Sequence, residues 1–231
     1  MDQVAPAAPP EFSARQNDVL EVALRLLVEG GDKGLTTAGI ARAANCSKES
    51  LYKWFGDRDG LLAAMITYQS SKVRAAAGPG APPERAAFRA LLVTFAEDLL
   101  TVLSGDVSLA LNRLAIGEAG GAEARLGGLV LKAGRRPIEA RARALLEAGR
   151  AAGHVAFADT GDAYHTLYGL IVRDLHVRLL LGDRPEPGET DRRARAATAI
   201  DQFLRLFGVP PRADETKPER AAAGQAVTNR V

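Results

Sequence analysis

Three features of the sequence predict an all-α fold. Hydrophobic residues make up 47% of the chain but aromatic residues only 5%, an Ala- and Leu-rich balance that favours packed helices over sheets. Apolar residues recur at three- and four-residue spacing along most of the 231 positions, as one face of a helix requires. No stretch alternates apolar and polar residues as a half-buried strand does, and no internal repeat is apparent.

Taken in order, the elements follow from local signals. Residues 1–12 are Pro- and Ala-rich without periodicity, as are residues 208–231, and both ends are expected to be disordered. A first helix starts at Ser13, carries Val19, Val22, Ala23, Leu26 and Leu27 on one face, and stops at Gly30 and Gly31. Thr36 or Thr37 caps a second helix bearing Ile40, Ala41 and Ala44, and Ser47 caps a third bearing Leu51 and Phe55. Gly56 ends the third helix, and Asp57 caps a fourth whose apolar stripe runs through Leu61, Leu62, Met65 and Ile66 until GPGAPP at 78–83 breaks it.

Beyond that break the pattern is helical almost throughout. Residues 84–104 bury Phe88, Leu91, Leu92, Phe95, Leu99 and Val102, and residues 106–118 bury Leu109, Leu111, Leu114 and Ile116. A stretch from about 123 to 152 contains Pro137, which lacks a backbone N–H and must kink or divide it. Residues 160–181 and 190–207 form the last two helices, joined by GDRPEPG.

Bulk properties exclude several classes. No run of apolar residues is long enough to span a bilayer, and MDQVAPAAPPEFSA has neither the basic nor the apolar region of a secretion signal. The single cysteine, Cys46, cannot form an internal disulfide, which fits a reducing cytoplasm. It reads as a small apolar core residue rather than a redox sensor. There is no G-x-x-x-x-G-K-[ST], G-x-G-x-x-G, G-x-S-x-G or H-E-x-x-H, so no enzyme class and no cofactor is nominated. His165 and His176 lie eleven residues apart, too far for one ion, and no cysteine cluster joins them; no metal is expected.

Net charge is only +2. Between Ser13 and Leu62 seven cations face seven anions, so any case for a nucleic-acid partner rests on where the charges sit. Two of the cations, Lys48 and Lys53, lie on the third helix with one anion, Glu49. Helix, short helix, turn and short helix within about fifty residues form a helix-turn-helix arrangement, and Asn45 suits a turn position that needs positive φ. Leu51 and Phe55, four apart, face the core and leave Lys48, Ser50, Tyr52, Lys53 and Trp54 on the exposed sides.

The segment TTAGIARAANCSKESLYKWFGDRDGLL resembles the signature of the TetR family of transcriptional regulators, with Thr37, Ile40, Ala41, Ala44, Ser47, Leu51, Tyr52, Phe55, Arg58 and Leu61 in register. The sequence departs from that pattern at Asn45, Cys46, Glu49, Trp54 and Arg58. The resemblance is sharp over residues 15–66 and only architectural beyond. It implies that Thr37, Ser47, Tyr52, Trp54 and Arg58 contact phosphates, with Thr36 at the neighbouring helix start. It also implies that Lys48, Ser50 and Glu49 face base edges, and that Lys53 serves either purpose. The implied organisation is a DNA-binding head over residues 13–60 and a helical effector-binding and dimerisation domain over residues 61–207. The implied partners are a double-stranded DNA operator, a small-molecule effector and a second copy of the chain.

Family members dimerise through the last two helices of each subunit. Here Tyr164, Tyr168, Ile171 and Leu175 form one apolar stripe and Ile200, Phe203, Leu204 and Phe207 another. They suit an interface, with a purely internal core as the lesser alternative. Asn112, Arg113 and Glu118 interrupt one apolar helix, and Arg173 and His176 interrupt another. They are candidate groups for a ligand pocket, with surface ion pairs as the alternative. The reading is a homodimeric, ligand-responsive repressor; the other possibility is an all-α scaffold or helical enzyme whose three-helix head does not bind DNA.

Overall fold

Side-chain caps fix the start of the second, third and fourth helices. The computed structural model describes residues 12–75, 83–119, 121, 125–186 and 191–210. Residues 1–11, 211–231 and most of the expected break at 78–83 therefore lie outside the described residues. Helix α1 (Ala14–Gly34) kinks at Gly31, where φ is 58°, so the expected stop is a change of direction. Thr36, not Thr37, caps α2 (Thr37–Ala43): its Oγ1 accepts from the Gly39 N–H at 3.0 Å. Ser47 caps α3 (Lys48–Phe55) by accepting from Ser50 at 3.0 Å, and Asp57 caps α4 (Arg58–Ser71) by accepting from Gly60 at 2.8 Å. Each bond satisfies a backbone donor that has no partner within its own helix.

The turn between α2 and α3 takes a left-handed residue, Asn45 at φ 49°. Arg15 of α1 holds it by donating to the Ala44 and Asn45 carbonyls at 2.6 and 2.8 Å. At the α3–α4 junction a Cβ on Gly60 would stand 2.0 Å from the Phe55 carbonyl oxygen, so only glycine lets α4 begin this close to the end of α3.

The rest of the chain adds α5 (Arg85–Ser104), α6 (Asp106–Glu118), α7 (Arg125–Leu129), a π-turn (Val130–Arg135), α8 (Arg136–Ala151), α9 (Thr160–Val172), α10 (Leu175–Leu180) and α11 (Arg192–Phe207). Pro137 explains the division between α7 and α8. Without an N–H it cannot bond the carbonyl four residues back, Ala133, and that oxygen instead accepts from Ser70 Oγ of α4 at 3.1 Å.

Three expectations are corrected. The single helix over 160–181 is two, because Arg173 adopts φ 49°. The carbonyls freed at the end of α9, those of Ile171 and Val172, accept from the Arg195 guanidinium at 3.2 and 3.0 Å. Ile116, expected in the core, is 61% exposed. Gly208 and Val209, expected to begin a disordered tail, pair with the chain at Val155 and His154.

Two hydrophobic clusters result. One joins α1 to α4 with Leu111 and Ala115 of α6 and Leu126 of α7. The other joins α5, α8, α9 and α11, with Phe88, Phe95, Tyr164 and Phe203 at its centre. The expected domain boundary at 60/61 falls inside the first cluster, since Leu61, Leu62 and Met65 are buried with the head. Cys46 is half-buried against that cluster.

Candidate nucleic-acid interface and internal cavity

Helix α3 has two faces set by a four-residue spacing. Leu51 and Phe55 are buried, while Lys48, Glu49, Tyr52 and Lys53 are exposed, Tyr52 to 57%. Ser50 is half-exposed, with its Oγ 3.1 Å from Ser47 Oγ. Trp54 is half-buried, edge-on to Phe55 with centroids 6.2 Å apart, so its ring belongs partly to the head core. Thr36, exposed, and Thr37, half-buried, lie at the start of α2, and Arg58 is exposed at the start of α4. The ten residues singled out from the sequence thus fall on α3 and the two helix starts beside it. Their charge is mixed. The Glu49 carboxyl is held below its ordinary range by its own backbone N–H and then by the Ser47 hydroxyl, so it carries a negative charge among the cations. A carboxylate repels phosphate but can accept from a cytosine N4 amino group.

Behind the head, a cavity of about 210 Å³ opens between α4, α5, α6, the π-turn, α8, α9 and α10. Its walls are apolar where Ile66, Leu99, Val102, Leu111 and Ile138 meet, and polar at Gln69, Ser108, Asn112, Tyr164, Tyr168 and His176. Ile66 and Leu111 belong to the head cluster, whereas Leu99, Val102, Ile138 and Tyr164 belong to the other. The cavity therefore occupies the seam between the two cores. Asn112 donates to the Ser108 carbonyl at 2.8 Å. His176 Nδ1 is 3.1 Å from the Leu103 carbonyl, and burial lowers the pKa of the ring. The ring is neutral at pH 7, with Nδ1–H the donor.

Of the five residues expected to line a ligand pocket, Asn112 and His176 line this cavity. The other three do not. Arg113 donates to the Leu179 and Leu180 carbonyls at 2.6 and 3.0 Å, capping the C-terminal end of α10. Glu118 lines a separate cleft with Asp57, Asp59 and Arg125 at the junction of head and body. Arg173 turns away toward α11, where it donates to Gln202 at 3.2 Å. Sequence reasoning missed Gln69 and Arg135, which carry no local signal. It also gave Tyr164 and Tyr168 a different role.

Most of the two stripes expected at a dimer interface is internal, while Tyr168, Leu204 and Phe207 keep some exposed surface. Tyr164, Ile171, Ile200 and Phe203 are fully buried within the single chain, Leu175 is 7% exposed, and Tyr168, Leu204 and Phe207 pack against the same cluster. A side chain with no exposed surface in one protomer cannot be what a second copy covers. The outward faces of α9 and α11 carry instead His165, Gly169, Thr198 and Arg205, with Leu206 64% exposed beside them.

Residues 19–65 match the family of bacterial regulatory proteins described as the tetR family, and residues 90–209 match the AefR-like transcriptional repressor C-terminal domain. Among solved structures, a TetR transcriptional regulator from Agrobacterium tumefaciens is 58% identical, with a TM-score of 0.72, covering 85% of this chain and 96% of that one. A protein of Mesorhizobium loti assigned to the TetR family shares the fold at 19% identity and a TM-score of 0.64, covering 84% of this chain and 97% of its own. The flavonoid-responsive regulator FrrA shares it at 24% identity and a TM-score of 0.60, covering 86% of this chain and 98% of its own. No curated protein matches the chain.

Proposed function

The chain belongs to the TetR family of transcriptional regulators, and from that premise we propose that it is a homodimeric repressor released from its operator by a small molecule. Among the described residues no helix is long and apolar enough to cross a membrane. The observation that carries the proposal is that one helix, α4, serves both sites. Its Arg58 end abuts the reading helix, and Ile66, Gln69 and Ser70 near its other end line the cavity. A molecule that fills the cavity bears directly on the helix that orients the head.

On the DNA side, α3 enters the major groove. Lys48, Glu49 and Ser50 read base edges, and Thr37, Ser47, Tyr52, Lys53, Trp54 and Arg58 hold phosphates. Two heads related by a twofold axis read half-sites about 34–36 Å apart or somewhat more. The outward faces of α9 and α11 supply the contact between subunits. Ligand occupancy shifts the population of head spacings only as far as its differential affinity for the two states allows.

Selection of bound fragments from the source genome tests the reading, followed by titration of the selected DNA and challenge with candidate small molecules. A discrete, pseudo-palindromic site with a strong preference over random DNA is expected. Binding that is weak and indifferent to sequence would favour a protein-binding scaffold instead.

A further inference from the structure

Two buried polar atoms in the cavity region have no hydrogen-bond partner among the described residues. They are the hydroxyl of Tyr164, a residue with no exposed surface, and the Oε1 of Gln69. Both residues line the cavity, one from α9 and one from α4. An unsatisfied buried polar group costs stability, so native chains rarely keep one without a use.

From these atoms we infer that the cavity takes a neutral hydroxylated ligand, a compact phenol or alcohol with an apolar body, whose hydroxyl accepts from Tyr164 and donates to Gln69. The inference rests on the ligand-responsive reading above and specifies the chemistry of its site.

Alternatives of similar size fail on charge and on hydrogen bonding. A carboxylate would be drawn by Arg135 but, with the Gln69 amide as it stands, has no proton to give Oε1, so that atom would stay unsatisfied. An ammonium has no lone pair to accept from Tyr164 and would meet Arg135, which lines the cavity with its guanidinium 4.9 Å from the centre of the Tyr168 ring. A hydroxyl both donates and accepts, so it answers Gln69 whichever way the amide is turned. Tyr164 is protonated and available as a donor, since burial pushes its hydroxyl up to about 12. No acidic residue is among the described residues lining the cavity. The volume fixes the scale: an apolar cavity of about 150 Å³ accommodates benzene, so 210 Å³ suits a body of about two fused rings.

The test is calorimetric titration of the full-length protein with three probes of one shape: 2-naphthol, naphthalene and 2-naphthoate. 2-Naphthol is expected to bind about tenfold or more tightly than either of the others, because a site built for a hydroxyl rejects the analogue lacking it. Tyr164→Phe should keep naphthalene binding and remove most of the 2-naphthol preference, while the free variant melts no lower than the wild type. Gln69→Leu should act in the same direction, and it carries the test if Tyr164→Phe does not fold. Equal affinity for naphthalene and 2-naphthol, tighter binding of 2-naphthoate, binding of none of the three, or a preference that survives in both variants overturns the inference. Titration of the same probes against the operator complex keeps the two readings apart. 2-Naphthol that binds with the expected preference but leaves DNA affinity unchanged defeats the regulatory reading and leaves the ligand chemistry intact.

Discussion

Tyr68 donates its hydroxyl to Glu21 at 2.5 Å and thereby ties α4 to α1, one position away from Gln69 in the cavity wall. The bond joins the helix that lines the cavity to the first helix of the head. Tyr68→Phe removes it with little change in volume. The expected result is a smaller ratio between operator affinities with and without effector, by about 0.5–2 kcal/mol of coupling. Because coupling is reciprocal, effector affinity measured on free protein and on the operator complex must converge by the same factor. An unchanged ratio would show that the head is coupled by another route.

The faces of α3 make opposite predictions for neighbouring residues. Tyr52→Ala and Lys48→Ala should each weaken operator binding by about 1–3 kcal/mol and leave the melting temperature near that of the wild type. Leu51→Ala removes a buried side chain and should cost about 2–5 kcal/mol of stability. Paired melting and DNA-binding curves check all three. Harmless Leu51→Ala would mean that the helix is rotated from this placement.

Subunit contact is expected on the outward faces of α9 and α11, away from the internal stripes. Ile171→Asp would place a carboxylate in a fully buried site and should unfold the protomer. Gly169→Arg and Thr198→Arg change exposed positions and should yield folded monomers, with circular dichroism unchanged and sedimentation halved in mass. Folded dimers from both arginine variants would move the interface elsewhere.

Alkaline stability should fall in a defined window. Tyr68 is raised to about 12 chiefly by its bond to Glu21, and Tyr164 to about 12 chiefly by burial. A tyrosine raised in the folded state keeps its proton where the unfolded chain has lost its own. Its contribution is therefore whole below pH 10 and is lost as pH rises toward about 12. Urea midpoints measured across that range should drop for the wild type and drop less for Tyr68→Phe and Tyr164→Phe.

Arg113→Ala should leave effector affinity unchanged, because its guanidinium caps α10 and does not line the cavity. The expected effect is a loss of about 1–2 kcal/mol in stability as two carbonyls lose a charged donor. A loss of effector affinity without a loss of stability would place Arg113 in the site after all.

What could be read from the sequence was whatever is decided within a few residues. Thr36, Ser47 and Asp57 cap their helices through atoms three positions away, Asn45 takes the left-handed turn, and the split of α3 into Leu51 and Phe55 against Lys48 and Tyr52 follows from its period. The stripe through Tyr164 and Ile171 was visible as apolar, but periodicity does not say which neighbour covers a face. The break at Arg173 has no glycine or proline to announce it, and its freed carbonyls are satisfied by Arg195, more than twenty positions away. Gln69 and Tyr164 come to one cavity only because α4 and α9 both pack against α8, which lies far from α4 in the chain, and no local pattern encodes that meeting.

The cavity at the seam between the two cores also has a mechanical meaning. A void adds to the volume of the folded molecule, so hydrostatic pressure favours any state in which it floods or collapses. Since the walls come from both clusters, compression acts on the joint between head and body before it acts on either core. Filling the cavity is then expected to stiffen that joint, and modest pressure to loosen the head without a ligand.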